Sequence, residues 1–489
     1  MAVLAGMLAA ALSGCAARAS KLPSEPEQTE AAADPETEDG RQTEEQTEPS
    51  EMESESEGET EEPEEETRET APGDDETFVQ QKIIVATDLH YLAEDLAGNR
   101  GQSFMTEVES GDGRVLQYGW EVLDAFLDDV IAEKPDLVVL TGDLTLNGER
   151  ESHEELARKL EVLSEHGIET AVIPGNHDIH NPMARKFTSS GTEKTDSITA
   201  EQFAQIYSDY GYIAADSRDP ASLSYLYKLD DYYWLLMLDS CQYDPVNRVG
   251  GMIRSETYDW LEEQLDAAWE EGAQVITVTH HNLLEQSEVS REFSDDCTIE
   301  HNEVLVRMLA DYEVRLHLSG HLHLQHYKED EDSGIAEIVT GSLVMSPCNY
   351  GVLKIWNSGM LDYTARPVDV EGWAKRNSYK NRELSEFQTF SEQFLGQVAY
   401  RNAVLDLRKH TMERKLFFSD ERIQEMAAFY AKLCIHYYAG TMFQIADAVK
   451  TEKACEYWTE IDYVSDLSDF LQRILEDQAK DFSHLTLPY

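Results

Sequence analysis

The stretch Ile173-Pro174-Gly175-Asn176-His177-Asp178 decides how the chain is read. An apolar run, Ala171 to Ile173, has the character of a buried strand, and Pro-Gly ends it in a turn. An amide, an imidazole and a carboxylate then follow in a row. Asn, His and Asp are ordinary loop residues, so the triple means little by itself. Its meaning depends on whether other strand ends carry groups of the same chemistry.

Working outward, they do. Apolar runs at 82–87, 136–141, 170–173, 232–238, 274–279, 314–318, 337–340 and 352–356 read as strands. Helical stripes at 115–133 and 152–165 alternate with the early runs, which implies α/β layers. In such folds function sits past the carboxyl ends of the strands. The first strand is followed by Asp88-Leu89-His90, the second by Gly142-Asp143 and the third by Asn176-His177-Asp178. The run at 274–279 leads into His280-His281-Asn282, and that at 314–318 into Gly320-His321-Leu322-His323. In extended backbone, residues i and i+2 point the same way, so Asp88 and His90 can face one ion, and His321 and His323 form another i, i+2 pair.

A lone D-x-H or H-x-H is commonplace. Five polar clusters, each at the end of an expected strand, are not. Imidazole and carboxylate without thiolate suit Mn, Fe or Zn. Seven such groups exceed the needs of one ion and match two divalent ions sharing a carboxylate. Two ions about 3.5–4 Å apart form the clamp used for in-line displacement at phosphorus.

The order D-x-H, G-D, G-N-H-D, H, G-H-x-H resembles the calcineurin-like metallophosphoesterase superfamily over residues 82–356. GDLTLNGERESHEEL, PGNHD, THHNL and SGHLHLQ further resemble secreted lipoprotein members of its cyclic-nucleotide phosphodiesterase branch. The resemblance implies a four-layer α/β/β/α sandwich. It implies that Asp88, His90, Asp143 and His323 hold one ion, and Asp143, Asn176, His280 and His321 the other. His177 would not be a ligand; it would contact the phosphoryl oxygens and assist the leaving group, with a metal-bridging hydroxide as nucleophile. Because side chains alternate, only one of His280 and His281 can face metal, and the family placement favours His280. Protein-phosphatase members carry an Asp three residues after the bridging one that orients the histidine. Here that position is Leu146, which leaves the orienter of His177 unassigned, and Asp178 has no evident role.

The formal net charge is −58, and residues 16–77 account for −20 of it, with 24 Asp/Glu against four Lys/Arg. An acidic surface argues against a nucleic-acid polymer as partner but not against a small anion held by metal. The same segment is rich in Glu, Thr, Pro and Ser and too poor in apolar residues to order itself. Fully extended it would reach roughly 200 Å. Before it, residues 2–14 are small and apolar and end in Leu12-Ser13-Gly14-Cys15, which resembles the lipobox of bacterial lipoproteins. That resemblance implies lipidation at Cys15 and an extracytoplasmic protein held at the membrane, with 16–77 as a spacer. No Lys or Arg precedes the apolar run, a departure from the usual signal. The six cysteines are scattered, with no disulfide framework.

Residues 78–365 form the expected metallophosphoesterase domain. Within it, 91–113 is a long polar insert, equally consistent with a lid and with a disordered excursion. Residues 366–489 read as a C-terminal all-α helical bundle, with stripes at 383–398, 420–438, 442–449 and after Ser465, Ser419 as an N-cap and Gly440 as a stop. The expected function is hydrolysis of a small phosphodiester, a cyclic nucleotide foremost. The alternatives are a phosphomonoesterase or nucleotidase, a cell-envelope phosphodiesterase, and a surface binding lipoprotein with a silent metal site.

Overall fold

The eight expected strands all form, and they divide between two sheets. The computed structural model describes residues 77–293, 296–413, 417–461, 466–476 and 480–489. The expectations for the leader, Cys15, the acidic segment through residue 76 and the Ser465 cap lie outside the described residues.

The first sheet has the order His484–Pro488, Met360–Pro367, Asn349–Trp356, Val79–Ala86, Leu137–Leu140, Glu169–Val172. Its half at 79–172 is parallel, with Ile84 opposite Val138 and Val138 opposite Thr170; the other half is antiparallel. The second sheet has the order His326–Glu329, Ala336–Val339, Leu316–Ser319, Gln274–Val278, Tyr233–Met237, Tyr225–Lys228, Ser217–Arg218, with its four central strands parallel.

Alternation along Tyr233–Met237 shows how the layers arise. Leu235 and Met237 enter the main core with Ile83, Val85 and Val139 of the first sheet. Trp234 and Leu236 enter a second core with Trp260, Leu261, Leu305 and Leu309. A period of two therefore places one face of the strand between the sheets and the other under the helices Ser255–Glu271 and Asn302–Asp311. The helices Gly119–Glu133 and Arg150–Glu165 cover the first sheet through Val122, Phe126, Leu156 and Leu160. The result is the four-layer α/β/β/α sandwich.

The insert at 91–113 is not a disordered excursion. It folds as the short turns Glu94–Leu96 and Gly98–Arg100 and the helix Gln102–Ser110. Leu96, Phe104 and Val108 bury against Leu146 and Phe187 in a core of their own.

Beyond the sandwich the described elements between Val370 and Glu476 are all helices. The helix expected at 383–398 begins as Arg382–Ser385 and runs on as Phe387–Met412. Asp420–Tyr438 is capped by Ser419, whose side chain accepts from the Arg422 N–H, and Gly440 follows it at φ 69°. Leu395, Met426, Tyr430, Trp458 and Phe470 form the core of this region. That core also takes in Leu322, Leu324 and Met345 of the sandwich, so residues 77–489 cluster as one compact unit. The chain then returns to the first sheet as the strand His484–Pro488, which helical patterning alone did not foresee. Among the described residues no helix is long and apolar enough to cross a membrane.

Candidate metal centre

Every expected ligand sits on a loop at the carboxyl end of a strand, and hydrogen bonds between backbones knit these loops together. Asp88 N–H donates to the Gly142 carbonyl, His90 N–H to that of Asp143, and Gly320 N–H to that of His280, each at 3.0 Å. Asp88, His90, Asp143, His321 and His323 all adopt positive φ, between 42° and 70°. For side chains other than glycine this is a costly conformation, kept where surrounding structure enforces it and common at functional sites. Two glycines make room for close approach. A Cβ on Gly175 would lie 2.1 Å from the Asp143 nitrogen, and one on Gly320 would lie 2.0 Å from Thr87 Oγ1.

The loops bring Asp88, His90, Asp143 and His323 together, with one ligand atom of each within 4.8 Å of the others. Asp88 Oδ1 lies 3.1 Å from His323 Nε2, and the Nε2 atoms of His90 and His323 are 2.9 Å apart. All four groups are buried. Asp88 Oδ1, His90 Nδ1 and His323 Nδ1 have no hydrogen-bond partner among the described residues. Two buried carboxylates and two converging imidazoles need a cation between them, so the donor set fits a divalent ion.

A second cluster lies on the other side of Asp143. His280 Nε2 is 3.5 Å from Asp143 Oδ1 and 3.2 Å from Asn176 Oδ1, while Asp143 Oδ2 faces His90 Nε2 at 3.9 Å. The two oxygens of Asp143 thus point to the two clusters. His280 Nδ1–H donates to the Thr141 carbonyl at 2.9 Å, which turns Nε2 toward Asp143. Burial disfavours charge on both members of this pair, and each opposes that effect in the other: Asp143 is lowered, and His280 is raised to about 9. His321 completes the cluster, its ring centre 5.1 Å from that of His280. Its Nε2 contacts the Asp296 carbonyl at 3.1 Å.

His281 also lies within ligand distance of His280 and His321. Both of its ring nitrogens, however, are taken at 2.8 Å, Nδ1 by Ser240 Oγ and Nε2 by the Val249 carbonyl. Burial lowers it to about 3, so it stands as a neutral, satisfied imidazole beside the cluster.

His177 stands between these groups without joining them. Its N–H donates to Asp143 Oδ1 at 2.8 Å, and its Nε2 lies 3.9 Å from Asp143 Oδ2. Nδ1–H donates to the Leu146 carbonyl at 2.7 Å. The orienting group missing from the side chain at 146 is therefore supplied by the backbone of the same residue. A sequence cannot display that partner, because every residue has a carbonyl. Burial lowers the His177 pKa and keeps the ring neutral.

Asp178 is fully buried and accepts from Leu144 N–H, Thr145 N–H, Thr145 Oγ1 and Gly175 N–H at 2.8–3.0 Å. It ties the loop carrying Asp143 to the loop carrying Asn176. A further buried side chain near the centre, Arg114, has no counterpart among the residues singled out from the sequence. Its only signal there is a glycine flanked by opposite charges, Asp112-Gly113-Arg114.

With this geometry in place, the calcineurin-like phosphoesterase family model matches residues 81–325, half of the chain. The chain belongs to the calcineurin-like phosphoesterase family. It is a hydrolytic phosphoesterase with Asp/His clusters able to bind a dimetal centre. Residues 369–481 match a second model, the C-terminal domain of cyclic nucleotide phosphodiesterase. A probable cyclic nucleotide phosphodiesterase of Synechococcus sp. is 25% identical over 238 residues, covering 48% of this chain and 71% of that protein. Among solved structures, a dimetal phosphatase from Danio rerio is 12% identical, covers 59% of this chain and 97% of its own, and superposes with a TM-score of 0.43. GAP50, the anchor in the inner membrane complex of Plasmodium, is 11% identical, covering 60% and 85%, with a TM-score of 0.36.

Proposed function

We propose that this phosphoesterase hydrolyses a small phosphodiester, a cyclic nucleotide foremost, at a dinuclear centre. We further propose that lipid on Cys15 holds it outside the cytoplasm at the end of its acidic spacer. The observation that carries the catalytic reading is Asp143, a buried carboxylate whose two oxygens face two separate sets of ligand atoms. Asp88, His90 and His323 would hold one ion with it, and Asn176, His280 and His321 the other. When bound, two divalent ions, Mn, Fe or Zn, supply charge for the attacking and leaving oxygens. The diester reading is supported by the match of the helical region to the C-terminal domain of cyclic nucleotide phosphodiesterase, and by the name of the Synechococcus relative.

The chain's own contribution centres on His177. With Nδ1–H committed to Leu146, the free nitrogen is Nε2, and burial leaves it unprotonated at rest. A phosphoryl anion beside it opposes that effect and favours a proton on Nε2. The same nitrogen can then give that proton to the leaving oxygen.

The test is a metal-reconstituted assay with bis(p-nitrophenyl) phosphate and p-nitrophenyl phosphate side by side. The expected result is turnover of the diester above the monoester, lost on chelation and lost in Asp143→Ala. Undiminished turnover by metal-free Asp143→Ala would overturn the reading, and a preference for the monoester would replace the diester. For the anchor, Cys15→Ala should move the protein from the membrane fraction to the soluble fraction.

A further inference from the structure

Arg114 is at least nine-tenths buried, yet its Nη1 has no hydrogen-bond partner among the described residues. Its Nε donates to Asp112 Oδ1 at 3.0 Å, and Asp112 Oδ1 also accepts from the Arg114 backbone N–H at 3.2 Å. The carboxylate therefore holds one edge of the guanidinium and leaves the other without a partner. Arg114 forms an isolated bridge to Met345, and Val115 N–H donates to the Val344 carbonyl at 2.7 Å. The turn they contact belongs to the metal loops. Leu343 N–H donates to the Thr87 carbonyl, Ser342 N–H to the His323 carbonyl, and Ser342 Oγ to the Asp88 carbonyl.

The helical region helps to set this arrangement. Gly113 has φ 108°, and a Cβ there would sit 2.7 Å from Leu395 Cδ1 of the helix Phe387–Met412. Ser391 on the same helix donates to Ser346 Oγ at 3.3 Å. In a chain as acidic as this one, a buried cation with a spare donor, held against the turn that ties the loops of Asp88 and His323, is an anion-binding feature rather than a surface charge.

We propose that Arg114 binds a non-bridging oxygen of the substrate's phosphoryl group through its unpartnered Nη1, with Asp112 and Leu395 as its positioning residues. The proposal deepens the phosphodiesterase reading and rests on it for the identity of the substrate, though not for the binding of a phosphoryl anion.

The experiment uses the metal-reconstituted full chain and inorganic phosphate as probe. Metal content, the thermal unfolding midpoint with and without phosphate, and KM against kcat for bis(p-nitrophenyl) phosphate are compared for the parent and Arg114→Met. The expected result is unchanged metal content, loss of the phosphate-induced rise in midpoint, and a KM raised roughly tenfold or more. Should the single variant misfold because Asp112 is left unpaired, Asp112→Asn combined with Arg114→Gln removes both charges and is read the same way. A parent that phosphate does not stabilise, or variants that phosphate stabilises as it does the parent, would overturn the proposal. A parent that is stabilised by phosphate yet hydrolyses no diester would instead sink the diester reading and leave Arg114 to be decided by the midpoints.

Discussion

Asp178 joins the loops after the second and third strands by accepting hydrogen bonds from four donors, three of them backbone N–H groups. Removing a buried acceptor leaves such donors unsatisfied, at a cost of about 1–3 kcal/mol for one group. Asp178→Ala should therefore lower stability by about 3 kcal/mol, read as a shift in urea midpoint, and weaken metal loading along with it. At the two residues before it the outcomes should separate. Asn176→Ala should reduce metal content, measured by elemental analysis. His177→Asn should retain both metals and lose about a hundredfold or more in kcat. Equal metal loss in both variants would mean that His177 is a ligand after all. These neighbours also show what a sequence can convey. Asn176 and His177 were legible because their chemistry matched that of four other strand ends. Asp178 was not, since its partners are backbone groups, and neither was the carbonyl of Leu146.

Strands that lie centrally and parallel were easily found, because burial on both faces makes them continuous apolar runs. The antiparallel strands toward the sheet edges were missed. His326–Glu329 reads His-Tyr-Lys-Glu, and His484–Pro488 alternates around a buried Leu485, so neither shows an apolar run. One central strand carries a buried carboxyl group instead. Glu337 on Ala336–Val339 accepts from the N–H groups of Leu283 and Leu284, from Gln286 Nε2 and from Ser319 Oγ, and so fixes the segment that follows His280 and His281. Burial pushes it up to about 7 from an ordinary value of 4.5. Between those values the folded chain keeps a proton that the unfolded chain has released. Its contribution to stability is thus fully present below pH 4.5 and lost as pH rises through 7. Glu337→Gln should flatten the fall in stability over that window, by at most about 1.4 kcal/mol per pH unit. Urea midpoints of parent and variant at pH 5 and pH 7 would check it, and parallel slopes would refute it.

At the scale of the molecule, the helical region is built into the sandwich rather than appended to it. It shares a core with Leu322 and Leu324, which flank His323, and it lies between two strands of one sheet. A chain ending at residue 368 would expose that core and strip the strand Met360–Pro367 of one of its two partners. Such a fragment should be insoluble, or should unfold well below the full chain in a thermal scan. A soluble fragment with the midpoint of the parent would show the two parts to be independent. Helical patterning and the stop at Gly440 were enough to foresee a bundle here. Its grip on the metal loops was not foreseeable, since contacts across so many residues leave no local pattern.

The sheet edge formed by His484–Pro488 bears on how the molecule is made. Asp362 and Thr486, hydrogen-bonded across that edge, are 124 residues apart in the chain. Helices form from near neighbours, whereas this edge must wait for the whole intervening segment to be synthesised and drawn back. During synthesis Met360–Pro367 is therefore complete long before its neighbour exists, and its row of N–H and C=O groups stands open in the meantime. An open row of that kind invites pairing with another nascent chain, so yield on expression should depend on how quickly the helices bring the last strand home.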